Sequence, residues 1–98
     1  MRLSFTHQFI LSAISAESPI RKSLTKLIKI AAQLGEQELR AHKGIHLHRI
    51  QNQFDPETGL QLESMEVTSA ARIKCIVQNN ALVLLSLHTD HDETYGRK

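Results

Sequence analysis

Two runs of strand-forming residues near the C-terminus constrain the fold of this chain more than any other feature. The runs cover residues 71–78 and 81–87, and Asn79 and Asn80 lie between them. Asparagine tolerates the positive φ angles that a two-residue hairpin turn requires, so this spacing predicts an antiparallel hairpin. Because both runs are rich in aliphatic residues, we expect the hairpin to be buried in the core.

A polar segment follows the second run directly. Residues 88–95 contain two histidines, three acidic residues and one tyrosine. Functional groups are often displayed where the chain leaves a rigid element, as these side chains would be. We therefore take His88, His91 and Tyr95 as candidate functional residues.

Length and composition exclude several classes of protein. A chain of 98 residues is expected to form one domain, here residues 1–98. The net charge of +2 at pH 7 permits contact with nucleic acid without requiring it. No apolar run approaches the roughly 20 residues of a membrane span, and the single cysteine, Cys75, excludes an internal disulfide. We expect a cytoplasmic protein without a membrane span, with Cys75 in the core.

The N-terminal third changes period from strand to helix. Residues 2–6 alternate between apolar and polar, as a strand with one buried face does. From His7 to Ala16 the apolar residues recur at helical spacing, in a stripe formed by Phe9, Ile10, Ala13 and Ile14. These patterns predict a short strand followed by a helix.

A second helix is predicted from Pro19 to Leu34. Ser18 is positioned as its N-cap, Pro19 as its first residue, and Gly35 follows its end. Leucine and isoleucine line one side of this helix, while lysine and arginine occupy the other. We expect the two helices to form a hairpin that packs as a unit against a sheet.

The middle of the chain gives weaker signals. Residues 36–41 are compatible with a short helical turn, and residues 44–50 alternate with period two, which places His46 and His48 on one face. Residues 54–59 have the composition of a turn, and residues 60–67 alternate as a strand does. The predicted order is strand, helix, helix, an uncertain segment and three strands.

This order of elements resembles the RelE/ParE superfamily of bacterial type II toxins. The resemblance covers roughly residues 1–35 and 60–96 and is carried by four features: the helix rich in Lys and Leu, the Ala-Arg-Ile-Lys-Cys-Ile-Val strand, the Leu-Val-Leu-Leu-Ser-Leu strand, and the closing His91-Asp92-Glu93-Thr94-Tyr95. It implies an α+β fold, in which an N-terminal strand and a helical hairpin pack on a small, mainly antiparallel sheet with a C-terminal polar tail.

The resemblance also implies a function. Proteins of this kind include ribosome-dependent mRNA endoribonucleases that need no metal or other cofactor, and each is neutralised by a cognate antitoxin in a hetero-oligomer. The expected partners are therefore an antitoxin, the ribosome and mRNA. An alternative stays open: a non-catalytic ParE-like toxin, or a degenerate member, would act only by binding a protein such as gyrase or an antitoxin.

The chemistry of RNA cleavage suggests roles for three residues. Attack of a ribose 2′-hydroxyl on the adjacent phosphate needs a base, an acid and positive charge at the phosphate. Arg72, which matches the strand arginine of the superfamily, is expected to supply fixed charge with bidentate geometry. His91 is expected to transfer a proton, because histidine titrates near neutral pH. Tyr95 is expected to stack on a base or orient the 2′-hydroxyl.

Two acidic residues depart from the pattern of the RelE branch, where lysines precede the strand arginine. The corresponding stretch here contains Glu63 and Glu66. Either carboxylate is a candidate general base, as resemblance to the YoeB branch implies. A carboxylate there would also repel a phosphate backbone. The alternative for both residues is a cross-strand ion pair with Arg72.

Further cationic residues are candidates for binding RNA or a protein partner. On the second helix these are Lys22, Lys26 and Lys29, for which a solvated helix face is the alternative. His46, His48 and His88 are the other candidates. His46 and His48 could bind a metal with a third group such as His42, but no cysteine or carboxylate stands at a supporting spacing, so no metal site is expected.

Overall fold

The computed structural model describes residues 1–89, which form three helices and five strands. The elements in chain order are β1 (Arg2–Phe5), α1 (His7–Ser15), α2 (Ser18–Ala32), α3 (Glu36–Ala41), β2 (His48–Phe54), β3 (Gln61–Thr68), β4 (Ala71–Gln78) and β5 (Ala81–His88).

The strands form one sheet, in the order β1-β5-β4-β3-β2. β1 runs parallel to β5, and every other neighbouring pair is antiparallel. The helices lie between β1 and β2 in the chain, and they contribute to the same core as the sheet. The predicted α+β architecture, with an N-terminal strand and a helical hairpin on a mainly antiparallel sheet, is confirmed.

The Asn-Asn hairpin is present as predicted. Asn79 and Asn80 have φ angles of 54° and 61°, the left-handed values that a tight turn of this kind needs. The Asn80 side chain also accepts a hydrogen bond from the backbone N–H of Glu36, at 3.0 Å. This contact connects the hairpin turn to the beginning of α3, so the turn contributes to packing as well as to strand pairing.

One hydrophobic core lies between the helices and the sheet. Its side chains include Leu24, Leu27 and Ala31 from α2, which recur at the spacing expected of a helix face. Leu39 of α3 and Ile73 of β4 are completely buried. Full burial of such a side chain stabilises the fold by about 1.5–3 kcal/mol. Cys75 also lies in this core, as predicted.

The ends of α2 differ slightly from the sequence prediction. Glu17 is the N-cap, so Ser18 is the first helical residue and Pro19 the second. Proline is tolerated at both positions because the first N–H groups of a helix have no partner within it. The helix ends at Ala32 rather than Leu34.

The apolar stripe of α1 is only partly buried. Phe9 is buried and stacks on Phe5, with the ring centroids 5.6 Å apart. Ile10 and Ile14 remain exposed, at 44% and 67%. The helix is present as predicted, but only part of its apolar stripe faces the core.

The uncertain segment forms α3 and then β2. The strand begins at His48, not at residue 44, because Ile45 is a buried residue of the preceding turn and His46 has a φ of 58°. Asn52, with a φ of 63°, lies where the pairing of β2 with β3 shifts register. None of the helices within residues 1–89 is long and apolar enough to span a bilayer.

Candidate nucleic-acid interface on the open face of the sheet

The two faces of the sheet have different surroundings. Successive side chains of a strand point to opposite faces, so β4 divides its residues between them. Ile73, Cys75 and Val77 belong to the core shared with the helices. Arg72 and Lys74 alternate with them and therefore lie on the other face, which we call the open face.

Strand register brings polar residues together on the open face in two rows. In the first row, Glu66 of β3 is directly opposite Arg72, which is directly opposite His88 of β5. In the second row the partners are His48, Ser64, Lys74 and Ser86, in order across four strands. Side chains directly opposite each other in an antiparallel pair are about 4.5–5.5 Å apart at Cβ. The two rows therefore form one polar surface.

Arg72 is the centre of the first row. Its side chain is 19% exposed, and its Nη2 atom lies 4.0 Å from Oε2 of Glu66. Its Nε atom is buried and has no hydrogen-bond partner within residues 1–89. The guanidinium has five N–H donors, and its ion pair within residues 1–89 is the long contact with Glu66, so it has capacity for an additional anionic ligand.

The second row contributes a lysine and a hydroxyl–imidazole pair. The Lys74 ammonium donates a hydrogen bond to Oε1 of Gln53, at 3.3 Å. Ser86 Oγ lies 2.8 Å from Nε2 of His88, within hydrogen-bonding distance. Ser64 Oγ is buried without a partner in the described part of the chain. This face thus holds two cations, two hydroxyls and an imidazole that can donate or accept a proton.

Glu66 has a second neighbour, His46. The Nδ1 atom of His46 lies 3.7 Å from Oε1 of Glu66, and its side chain is 69% exposed. The rings of His46 and His48 are arranged edge to face, with centroids 6.1 Å apart. The sequence predicted that these histidines are neighbours, but the left-handed backbone of His46 places it in the turn before the strand.

Glu63 lies on the opposite face from Arg72. It is 3% exposed, and both carboxylate oxygens accept hydrogen bonds from Arg40 of α3, at 2.8 and 3.0 Å. The hydrogen bond to Glu63 raises the pKa of the Arg40 guanidinium. The structure therefore does not bring Glu63 together with Arg72. Glu63 pairs instead with Arg40, which the sequence did not indicate as its partner.

Cys75 lies directly opposite Glu63 in the strand register. Burial raises the pKa of the Cys75 thiol, and the nearby Glu63 carboxylate raises it further. The thiol is therefore protonated at neutral pH and chemically inert, which agrees with a packing role.

The lysines of α2 are separate from the open face. Lys22, Lys26 and Lys29 are exposed on the helix. Lys26 also lines an open cavity of about 370 Å³ at the end of β3, together with His42 and Glu66. Lys26 is thus the member of this group that shares a cavity with Glu66.

Two candidates, His91 and Tyr95, lie outside the described residues, so their position relative to Arg72 stays a prediction. Within residues 1–89, no cluster of three or more histidine, cysteine, aspartate or glutamate side chains is arranged to hold a metal ion.

Sequence reasoning missed Lys74 and Ser86. Period two was the signal that could have found them, because Lys74 follows Arg72 by two residues and Ser86 precedes His88 by two. Arg40 had no comparable signal, since its contact with Glu63 joins residues that are 23 positions apart.

Comparisons with known proteins give a likeness in structure alone. No protein-family model matches the sequence, and no curated protein matches it significantly. Among solved structures, RelE in the RelB-RelE antitoxin-toxin complex from Methanococcus jannaschii is similar, with a TM-score of 0.69 at 11% identity over 95% of each chain. YafQ from Escherichia coli gives a TM-score of 0.69 at 13% identity, over 98% of this chain and 100% of YafQ.

A third similar structure is the YoeB dimer from Staphylococcus aureus, with a TM-score of 0.62 at 12% identity, over 90% of this chain and 94% of that one. All three matches extend over nearly the whole of both chains, so they concern the complete sheet and its helices. The chain therefore has the fold of the RelE-like type II toxins.

Proposed function

We propose that this protein is the toxin of a type II toxin-antitoxin system and acts as an mRNA endoribonuclease at the ribosome. The observation that carries the proposal is the open face, where Arg72, Lys74 and His88 lie on two neighbouring strands of a RelE-like fold. A guanidinium, an ammonium and an imidazole are the groups that RNA cleavage without a metal requires.

The proposed reaction is an intramolecular transfer of the phosphoryl group. A base removes the proton of the 2′-hydroxyl, the 2′-oxygen forms a bond to phosphorus, and the bond from phosphorus to the 5′-oxygen breaks. An acid then protonates the departing oxygen. The products are a 2′,3′-cyclic phosphate and a 5′-hydroxyl, so no atom or electron is left over.

Each residue of the open face has a defined part in this reaction. Arg72 and Lys74 bind the phosphate and stabilise its additional negative charge in the transition state. His88 transfers a proton, and the adjacent Ser86 hydroxyl fixes the orientation of its imidazole. His91 supplies the second proton-transfer group and Tyr95 stacks on a base, as the sequence predicts; His48 and the α2 lysines contact RNA or the partner.

The proposed partner is an antitoxin, in a hetero-oligomer. Support comes from the similar RelE structure of Methanococcus jannaschii, which was solved with its antitoxin RelB. The exposed Lys22 and Lys29 of α2 offer positive charge to an acidic partner segment. Cellular localisation in the cytoplasm follows from the proposed target.

Induced expression in bacteria tests the proposal. We expect growth arrest, in-frame cuts in mRNA, and recovery of growth when the neighbouring open reading frame is expressed as well. Arg72→Ala, Lys74→Ala and His91→Ala should each relieve toxicity, whereas Arg2→Ala, an exposed arginine at the far end of the sheet, should not. Cleavage by the purified protein on ribosomes should leave 2′,3′-cyclic phosphate and 5′-hydroxyl ends, the products of the proposed reaction.

Two results would contradict the proposal. Cuts that continue unchanged in Arg72→Ala and Lys74→Ala would remove the open face from the reaction. Growth arrest with intact mRNA would instead support the alternative, a toxin that acts only by binding a protein. Circular dichroism of each variant distinguishes loss of a functional group from loss of the fold.

A further inference from the structure

We propose that Glu66 is a built-in competitor of RNA at Arg72, and that His46 receives the Glu66 carboxylate when RNA binds. This inference rests on the proposed function, in which Arg72 binds a phosphate. It gives Glu66 a role different from the general base expected from the sequence.

Glu66 lies between the Arg72 and His46 side chains and is held firmly by neither. Its Oε2 atom is 4.0 Å from Arg72 Nη2, and its Oε1 atom is 3.7 Å from His46 Nδ1. Both distances exceed those of a hydrogen bond, so each contact is loose and separates at small cost. By contrast, Glu63 on the other face accepts two hydrogen bonds from one arginine.

Arg72 has donors that Glu66 does not satisfy. Its Nε atom is buried and has no partner within residues 1–89. Guanidinium binds carboxylate and phosphate through the same pair of parallel N–H donors. Glu66, at 4.0 Å from Nη2, makes neither of these parallel contacts, so it lies beside the guanidinium without satisfying it.

The backbone of His46 fixes the position of its side chain. Its φ of 58° is in the left-handed region, which histidine, asparagine and aspartate adopt more often than other residues with a side chain. The His46 N–H donates to the carbonyl of His42, and the Ile45 carbonyl accepts from the N–H of Glu66. These backbone contacts fix the turn beside Glu66, so the imidazole is held where the carboxylate can reach it.

Release of Glu66 from Arg72 then follows from competition. An RNA phosphodiester carries one negative charge, as a carboxylate does, and it takes the guanidinium because it can make the bidentate contact that Glu66, at 4.0 Å, does not make. Glu66 turns toward His46, where an imidazole N–H can donate to the carboxylate and hold it away from the RNA. Glu66 thus lowers affinity for RNA, and His46 limits that loss.

The test is a double-mutant cycle on RNA affinity, measured by fluorescence anisotropy. The probe is a labelled single-stranded 2′-O-methyl RNA of mixed sequence, which the proposed reaction cannot cleave. Glu66→Gln keeps the shape and removes the charge, so it should tighten binding about two- to fivefold, which is the range of an exposed ion pair. Glu57→Gln, the same change in the exposed turn before β3, is the matched control and should have less effect.

His46 is tested in both backgrounds. His46→Ala should weaken RNA binding when Glu66 is present. It should have no effect in the Glu66→Gln variant, because no carboxylate then has to move from Arg72 to His46. An equal loss in both backgrounds would mean that His46 contacts RNA directly, and the inference would fail.

The remaining outcomes separate this inference from the proposed function. In one outcome all variants bind RNA, and Arg72→Ala weakens binding, but Glu66→Gln binds no differently from Glu57→Gln. The role of Glu66 as a competitor is then refuted, while the proposed function stands. If no variant binds RNA, on or off ribosomes, both are refuted. Circular dichroism checks that each variant is folded. Apart from Arg72, every exchanged side chain is about one-third exposed or more, so we expect the variants to keep the fold.

Discussion

Replacing Arg40 by methionine should unfold this protein at much lower denaturant concentration, because Glu63 would lose its only cation among the described contacts. Arg40→Met keeps a long side chain for packing and removes the charge. The Glu63 side chain is 4% exposed, and it accepts hydrogen bonds at 2.8 and 3.0 Å from this arginine. A carboxylate buried to this extent cannot recover its hydration without opening the core.

The magnitude follows from the burial of the pair. Breaking a buried ion pair by removing one partner costs about 3–5 kcal/mol. The Arg40 side chain is 31% exposed, so water can enter the space it leaves, and we expect about 3 kcal/mol, the lower end. A domain of this size has a stability of roughly 5–15 kcal/mol. The loss would lower Tm by about 12–24 °C, at about 4–8 °C per kcal/mol.

Urea unfolding followed by circular dichroism measures this loss, and the same arginine provides the control. Glu36 is the second carboxylate on Arg40, at 3.4 Å, but it is 33% exposed. Glu36→Gln should therefore cost no more than about 0.5 kcal/mol. Equal effects of Arg40→Met and Glu36→Gln would refute the reasoning, because they would show that Glu63 is effectively solvated.

The double variant Arg40→Met/Glu63→Leu connects stability to function. Apolar replacement of a whole buried pair is often neutral or stabilising, so the double variant should recover most of the lost stability. It should also recover toxicity, because Glu63 lies on the helix-covered face. If the double variant folded but were not toxic, Glu63 would again be a candidate for a role in the reaction.

Three shorter predictions concern other parts of the chain. Lys74→Ala should weaken RNA binding and lower the slope of log affinity against log salt by about one, whereas an unchanged slope would exclude a phosphate contact. Cys75 should react with a thiol reagent only after unfolding in urea, because burial raises the pKa of its thiol; fast reaction of the native protein would contradict its position in the core. Asn79→Val should lower the free energy of unfolding by about 1–2 kcal/mol, because a β-branched residue resists the positive φ. Asn79→Gly should not lower it, and equal melting temperatures of the two variants would contradict this account of the turn.

Local patterns predicted most of the fold. The Asn-Asn turn, the second helix and the three C-terminal strands each carry their information within a few residues, as turn chemistry or as hydrophobic period. Residues 44–50 were harder because Ile45 is buried in a turn and His46 is left-handed. Alternation of apolar residues up to Leu47 reflected packing against the core, and the strand begins only at His48.

The site was less predictable because its contacts are not local. The sequence proposed Arg72 as a site residue, but it could not identify the neighbours of Arg72 on the open face without the register of four strands. The pairing of Arg40 with Glu63 depends on where α3 crosses the sheet, which no short pattern encodes. Distance along the chain therefore separates what the sequence predicts from what it does not.

The two glutamates of β3 show what the alternation of side chains along a strand could have predicted by itself. Glu63 and Glu66 are three residues apart, an odd number, so a regular strand must place them on opposite faces. Met65 lies between them on the side of the core, and it assigns Glu63 to the helices and Glu66 to the open face. The two carboxylates therefore could not both have served Arg72. The structure supplies what parity cannot: Arg40, the cation that makes Glu63 tolerable in the core, and the position of Glu66 between Arg72 and His46.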